Sequence, residues 1–313
     1  MKKLIVSSSP HIHSKTSVAG IMRDVLIALL PATAAAIVLF GVKALAIIFA
    51  CVASAVLSEF LFNLACKKKQ TVGDLSAAVT GLILALCLPA TTQIWQCVLG
   101  SVFAIIVVKC LFGGIGCNFA NPAATARVFL LTAFATSVAG GTATAFASPD
   151  LVASATPLEQ IKFGNTSALP SLTDMFLGNR MGAIGETCAL ALIIGGIYLI
   201  IRKVIYWHIP VIYIGTVFVL SLAIKQDLNI ALYEVLGGGL IIAAFFMITD
   251  YVSTPINKIG KMVFAVGCGI ITVLIRFWGE YPEGVSFAIL LMNILSPYIE
   301  KLCTKKPLGK VGK

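Results

Sequence analysis

The segment that decides the fold is Gly81-Leu-Ile-Leu-Ala85, because it returns almost unchanged as Gly239-Leu-Ile-Ile-Ala243. Each copy is followed at a similar distance by a proline in a polar loop, Pro122 after 41 residues and Pro282 after 43 residues. A match of five apolar residues is weak alone, since these residue types dominate membrane helices. The shared spacing nevertheless indicates an internal repeat.

Long apolar runs fill most of the chain. Of its 313 residues 59% are hydrophobic and 12% are charged, and the mean hydropathy is +1.00. These values are typical of a polytopic helical membrane protein and exclude a soluble core. A helix needs roughly 20 apolar residues to cross the hydrocarbon layer. On that basis about ten spanning helices are predicted, which cover residues 24–41, 44–65, 74–90, 93–112, 122–140, 185–201, 207–224, 232–249, 262–278 and 284–302.

The predicted spans divide into two groups of five. Because five is an odd number, the second group enters the membrane from the opposite side, which predicts inverted repeats with the functional site at their interface. The fold class is therefore expected to be all-α. The expected organisation is a segment 1–23, a first five-helix repeat 24–140, a loop 141–184, a second five-helix repeat 185–302 and a basic tail 303–313.

Lysine and arginine predict the orientation. Both termini, Lys67-Lys68-Lys69 and Arg202-Lys203 fall on one side of the ten-span arrangement, and few basic residues fall on the other. The basic side is expected to be cytoplasmic, so that both termini are cytoplasmic and the loop 141–184 is outside. This asymmetry and attraction to anionic lipids explain the net charge of +10. Nucleic-acid binding would need a basic soluble domain, and none is predicted.

The outer loop carries the segment Asp150-Leu-Val-Ala-Ser154-Ala155-Thr156-Pro157. Read alone, Ser-Ala-Thr-Pro is an ordinary turn. Among the Ala-Thr dipeptides of the chain, however, only Thr156 has an aspartate six residues upstream. The spacing resembles the Dxx(S/T)GAT signal at which a flavin transferase esterifies FMN to threonine: Asp150, Ala155 and Thr156 match it, and Ser154 replaces the glycine. A threonine phosphodiester would hold the flavin ring permanently in one place.

Two polar turns interrupt the apolar pattern. The glycine-rich turn 112–121 opens a helix at Pro122 with Asn121 as its cap. Its amides suit an anion or the edge of a flavin, although a tight turn that uses glycine at positive φ explains it equally well. Asp250 ends the eighth span, and Glu283 follows the ninth. These carboxylates are either solvated at the membrane surface or functional.

Glu59 is the clearest charge inside a predicted span. Such a charge is costly unless it is paired or faces water. It is either a cation ligand or proton carrier on an ion path, or an ionised group near the basic residues 67–69. The nine cysteines lie mostly within spans and form no CxxC, so they are interpreted as small apolar residues, and no metal site is predicted.

Several segments together resemble the NqrB/RnfD family, and within it the RnfD subunit of the ion-translocating ferredoxin:NAD oxidoreductase (Rnf) complex. They are the flavin-signal segment, the turn through Asn121-Pro122-Ala123, the turn 249–255 and the segment 275–293. The resemblance covers nearly the whole chain.

The resemblance implies a ten-helix fold similar to urea transporters in a bacterial cytoplasmic membrane. It implies FMN esterified to Thr156 on the outer side and allows a second, non-covalent riboflavin, for which Asn121 and Asp250 are candidate contacts. The expected function is electron transfer between subunits, coupled to translocation of Na⁺ or H⁺. The expected partners are the other Rnf subunits, including a second one with covalent FMN, a flavin transferase for maturation, and membrane lipids.

Other functions remain open from the sequence. They are an NqrB-like subunit of the sodium-pumping NADH:quinone reductase, a small-solute channel or transporter, and a scaffolding subunit with a vestigial flavin signal. The chain lacks a dinucleotide fingerprint and a ferredoxin-like cysteine set. It is therefore expected to have no complete reaction alone and to contain no catalytic residue of its own.

Overall fold

The computed structural model describes residues 16–142, 153–164 and 169–304. Within these ranges nearly all regular structure is helical. The strands there are confined to Gly141–Thr142 (β1) and Ala153–Ser154 (β2), which pair antiparallel with Gly141 opposite Ser154. The expected helical class of fold is confirmed.

The chain enters through helix α1, Val18–Ala65, which Ser17 caps by accepting a hydrogen bond from the N–H of Gly20 at 3.1 Å. Gly41 interrupts α1 with φ +67° and ψ −148°, a conformation that only glycine adopts readily. Met22 and Lys109 line one cavity, and Lys109 pairs with Glu59. A straight helix would separate residues 22 and 59 by about 55 Å, so the chain reverses at Gly41. The predicted boundary between the first two spans therefore lies at this glycine.

The rest of the first half follows the predicted spans. Helix α3 continues into a π-helix, Phe103–Cys110, which is the wider winding often found at functional sites. The helices are α2 Ser76–Leu86, α3 Ile94–Val102, α4 Pro122–Ala133 and α5 Ala135–Val138, and a 3₁₀ turn covers Val72–Asp74.

Two short helices lie between the halves, and six follow them. The two are α6 Pro157–Lys162 and α7 Leu172–Leu177. The six are α8 Ala189–Ile201, α9 His208–Lys225, α10 Leu228–Leu236, α11 Leu240–Ile242 with its π-helical continuation Ala243–Met247, α12 Lys258–Trp278 and α13 Val285–Cys303.

The eighth predicted span is a broken helix. Helix α10 and the segment Leu240–Met247 meet at an angle of 62°. Three glycines, 237 to 239, form the break, and Gly238 has φ +60°. Broken helices of this kind expose backbone groups inside the membrane only where protein or a cavity covers them.

Several helices have the length and composition of membrane spans. Among the described residues, α1, α9, α12 and α13 qualify alone, and the bent pair of α10 with Leu240–Met247 makes a fifth candidate. Shorter apolar helices are Ser76–Leu86, Ile94–Cys110 and Ala189–Ile201. The chain is therefore a multi-pass membrane protein.

Small residues let these helices approach closely. A Cβ on Gly195 of α8 would lie 2.0 Å from the carbonyl oxygen of Ala28, and one on Gly81 of α2 would lie 2.7 Å from that of Cys51. The two arms of α1 thus pack backbone to backbone, one on α8 and the other on α2. Such contacts are the usual source of helix association in membranes, where the hydrophobic effect between helices is absent.

Candidate functional site

Thr156 is the N-cap of helix α6. Its Oγ1 accepts a hydrogen bond from the N–H of Glu159 at 3.2 Å, and its own N–H donates to Glu159 Oε2 at 3.4 Å. This is a capping box, with Pro157 at the first helical position where its missing N–H costs nothing. The sequence Thr-Pro-Leu-Glu therefore specifies a helix start at the predicted flavin site.

The Thr156 side chain is buried, with 4% of the residue exposed. A Cβ on Gly141 would lie 2.9 Å from Thr156 Cγ2 and 2.8 Å from the nitrogen of Gly182. Glycine at position 141 therefore allows β1, α6 and the turn at residue 182 to meet around the threonine.

The strand pair is tied to the membrane part by Thr142. Its N–H and C=O exchange hydrogen bonds with Gly182 at 3.1 and 3.3 Å, and its Oγ1 accepts from the N–H of Ala90 at 2.9 Å. Of the predicted signal residues, Ala155 is partly buried and Ser154 pairs through its backbone in β2. Asp150 lies outside the described residues.

Helix α6 rests on the break in the eighth span. A Cβ on Gly237 or on Gly238 would lie 2.9 Å from a methyl carbon of Leu158. Leu158 is two residues beyond Thr156 and is fully buried. The segment that begins at Thr156 therefore contacts the broken helix directly.

Asn121 and Asp250, predicted as separate candidates, lie on one cavity of about 120 Å³. We call it the central cavity, and both halves of the chain line it, with Ser76, Thr80, Lys109, Asn121, Phe246 and Asp250 among its walls. An apolar cavity with a few convergent polar groups is the usual form of a ligand site.

Asn121 holds two elements together at this cavity. Its Oδ1 accepts hydrogen bonds from the N–H groups of Ala123 and Ala124 at 3.0 and 3.2 Å, which confirms the predicted cap of α4. Its Nδ2 donates to the carbonyl oxygen of Met247 at 3.3 Å, at the end of the broken span. The cap of a helix in the first half thus binds a helix end in the second.

Asp250 accepts hydrogen bonds from Ser253 Oγ at 2.8 Å and from the N–H of Val252 at 3.4 Å. Burial raises the pKa of its carboxyl group above the usual value, and the hydrogen bond from Ser253 opposes that shift only in part. Asp250 is therefore positioned beside the cavity and holds a proton more readily than an exposed aspartate.

Glu59 is not an ionised group near the basic residues 67–69, as one interpretation had it. Its Oε1 accepts hydrogen bonds from Lys109 Nζ at 2.8 Å and from Thr71 Oγ1 at 2.6 Å. Lys109 Nζ also donates to Ser76 Oγ at 2.6 Å. Glu59 is almost fully buried, and the cation that balances it forms part of the wall of the central cavity.

Two further charge clusters lie in the interior that the sequence analysis did not single out. Arg276 Nη1 pairs with Glu234 Oε2 at 3.0 Å, and Arg276 Nη2 donates to the carbonyl oxygen of Gly237 at 3.3 Å. Arg127 pairs with Glu283 and, at 3.4 Å, with Glu186. The interpretation of Glu283 as a solvated carboxylate is therefore wrong, because a guanidinium group from α4 contacts it.

A signal for these clusters was available. A charged side chain within an apolar run is costly unless a partner balances it. Arg127, Lys109 and Glu234 each stand in such a run. What the sequence lacks is the partner, which lies 42 to 156 residues away along the chain.

Helices α4 and α13 contact each other reciprocally. Arg127 of α4 pairs with Glu283 in the turn before α13. The side-chain amide of Asn293 in α13, oriented by its neighbours, accepts from the N–H of Asn121 in the turn before α4 at 3.0 Å and donates to the carbonyl oxygen of Ser253 at 3.1 Å. Each helix thus binds the turn that precedes the other.

The chain is similar to proteins of known family along nearly its whole length. The family model described as "NQR2, RnfD, RnfE family" matches residues 5–309. The chain is 47% identical to the RnfD subunit of the Na(+)-translocating ferredoxin:NAD(+) oxidoreductase complex of Acetobacterium woodii, over 98% of this chain and 95% of that protein.

Two further relatives carry related names. The chain is 40% identical to the like-named subunit of the proton-translocating ferredoxin:NAD(+) oxidoreductase complex of Clostridium ljungdahlii, over 95% of this chain and 93% of that protein. It is 36% identical to the like-named subunit of the ion-translocating oxidoreductase complex of Stutzerimonas stutzeri, again over 95% and 93%.

Proposed function

Because the chain belongs to the NQR2, RnfD, RnfE family, we propose that it is the RnfD-type membrane subunit of an ion-translocating ferredoxin:NAD oxidoreductase complex. It passes electrons between partner subunits, and that transfer is coupled to translocation of Na⁺ or H⁺. The observation that carries the proposal is the 47% identity to the Acetobacterium woodii protein over 98% of this chain. Relatives named for sodium and for protons are both similar to it, so either ion fits.

The proposed architecture is ten spans in two inverted repeats, similar to urea transporters, with both termini cytoplasmic in a bacterial cytoplasmic membrane. The reciprocal contacts between α4 and α13 support it, since a pseudo-two-fold axis relates the two ends of such a pair. A second similarity supports it as well. Near the end of the fourth predicted span Lys109 binds Ser76 at the start of the third, and near the end of the ninth Arg276 binds Glu234 at the start of the eighth.

The proposed redox group is FMN esterified to Thr156 on the outer side, attached by a flavin transferase. FMN supplies one- and two-electron chemistry when it is bound. The packing described above does not fit the esterified group, because Thr156 is 4% exposed and Gly141 and Gly182 cover it. Attachment at this residue therefore requires that β1 and the turn at Gly182 move away from α6.

The central cavity is the proposed seat of a second, non-covalent riboflavin. Asn121 and Asp250 offer polar atoms there, and Phe246 and other apolar side chains form the walls. Mixed linings of this type hold and orient planar cofactors. Glu59 and Asp250 are proposed elements of the ion path, since both carboxylates are at or next to this cavity.

The flavin assignment is tested by intact mass and in-gel flavin fluorescence of the purified chain, co-expressed with a flavin transferase. We expect a mass increment of one FMN and a fluorescent band. Both are expected to vanish in Thr156→Ala and to persist in Thr136→Ala, a matched control because Thr136 follows an alanine and is exposed. An unmodified Thr156 beside a modified control substrate would overturn the assignment.

A further inference from the structure

The cluster of Arg127, Glu186 and Glu283 contains a carboxylate that the proposed function does not use. Arg127 belongs to α4, while Glu186 and Glu283 precede α8 and α13. The side chain of Glu186 is 2% exposed. A Cβ on Gly239 would lie 2.8 Å from Glu186 Oε1, so the carboxylate sits against the glycine break of the eighth span.

One guanidinium group serves two carboxylates here. Arg127 Nη2 makes a short hydrogen bond to Glu283 Oε2, whereas its distance to Glu186 Oε1 is 3.4 Å. The closer pair is the charge-assisted one. Glu186 is thus left with only a long contact to the shared cation.

Two polar atoms of the cluster have no hydrogen-bond partner in the described part of the chain. They are Glu186 Oε2 and Arg127 Nη1, and both are fully buried. A buried carboxylate oxygen that stays ionised without a partner is costly in free energy, because it has lost its hydration and gained nothing in return. A proton on Glu186 Oε2 removes the charge and turns that atom into a donor.

A small cavity joins these atoms. Its volume is about 10 Å³, and Cys87, Arg127, Glu186 and Ser286 are among the residues that line it. That is room for about one water molecule, which needs two to four polar partners. A water accepting from Arg127 Nη1 and contacting Glu186 Oε2 would satisfy both orphan atoms.

The other titratable groups around Glu186 are already engaged. Arg180 donates to the backbone carbonyl oxygens of Glu186 and Thr187 at 2.6 and 3.2 Å, and does not bind the carboxylate in the described ion pairs. Arg276 is paired with Glu234. The remaining neighbour is the Cys87 thiol, which is buried and apolar in character.

We propose that Glu186 is a proton-binding site, whose Oε2 carries an exchangeable proton delivered by one water bridged to Arg127 Nη1. The ligand is a proton and not a metal cation. A hard metal cation needs several oxygen ligands around it, and the guanidinium group of Arg127 repels positive charge at this distance. A proton needs a single oxygen.

The test is infrared spectroscopy of the purified, unmodified full chain, titrated with acid and base in H₂O and in D₂O. We expect a C=O stretching band of a protonated carboxyl group that shifts in D₂O and disappears in Glu186→Gln. Glu234→Gln is the matched control, because Glu234 is equally buried but paired with Arg276, and this variant is expected to keep the band. If Glu186→Gln does not fold, Glu186→Asp should instead displace the band.

Three results would overturn the proposal. Absence of the band throughout the titration would show that Glu186 is ionised. A band that persists unchanged in Glu186→Gln and Glu186→Asp would belong to another carboxyl group. A band that vanishes when Na⁺ replaces K⁺ at constant pH would identify a metal-cation site. None of these readings depends on flavin or on partner subunits.

Discussion

At the scale of single residues, buried ion pairs hold distant segments of the chain together. Lys109 and Glu59 have side chains only 4% and 2% exposed. Taking both charges out of water is costly, and their attraction offsets that cost only while both are present. The pair therefore contributes specificity to the contact between α1 and the π-helix more than it contributes net stability.

We expect Lys109→Met to destabilise the folded chain by about 3–5 kcal/mol, because it leaves the Glu59 carboxylate buried and unpaired. The double variant with Glu59→Gln should recover most of that loss. Unfolding in detergent measures both. Arg202→Ala is the control, since this guanidinium pairs with Asp24 but is 55% exposed, and such pairs contribute about 0–1 kcal/mol. Additive losses in the double variant would contradict the coupling.

Asp250 should make stability depend on pH. Burial raises the pKa of its carboxyl group in the folded chain, so the folded state binds a proton more tightly than the unfolded state does. The stability that this proton contributes is complete below the unfolded pKa of about 3.9 and is lost as pH rises through the higher folded pKa. Thermal unfolding of Asp250→Asn should lack this decline. An identical pH profile for both proteins would contradict it.

At the scale of elements, glycine positions decide where helices turn and break. Gly41 lies at φ +67° inside α1, where the chain reverses, whereas Gly215 lies within α9 with open space around it. We expect Gly41→Ala to destabilise by about 1–3 kcal/mol, since alanine tolerates that backbone conformation poorly. Gly215→Ala should stabilise by about 0.4–1 kcal/mol. Unfolding in detergent measures both variants, and the same direction of change in both would contradict the assigned turn.

The contact between α6 and the glycine break is the second element-scale feature. Leu158 packs on Gly237 and Gly238, and the same break borders Arg276, Glu283 and Glu186. A displacement of α6, which attachment at Thr156 would require, would therefore reach the buried charges without any intervening helix.

At the scale of the whole molecule, the pattern of apolar runs was sufficient to place the helices. The runs predicted each of the longer helices to within a few residues, and the Asn-Pro signal predicted the cap of α4. Helix caps and apolar runs are local properties, so they are readable from neighbouring residues.

The partners of buried charges were not readable. Glu283 lies 156 residues from Arg127, and nothing in either segment names the other. The burial of Thr156 was missed for the same reason, since it depends on Gly141 and Gly182 closing over the site. Packing between distant segments decides both features, whereas sequence patterns report the local structure of each segment.

The most direct test of the central proposal is ferredoxin-dependent NAD reduction together with ion uptake in inverted membrane vesicles from cells that carry the chain or its variants. We predict that Thr156→Ala abolishes both activities and that Thr136→Ala retains both, with equal amounts of the complex in the membrane. Full ferredoxin:NAD activity and ion uptake in vesicles of the Thr156→Ala variant would contradict the account.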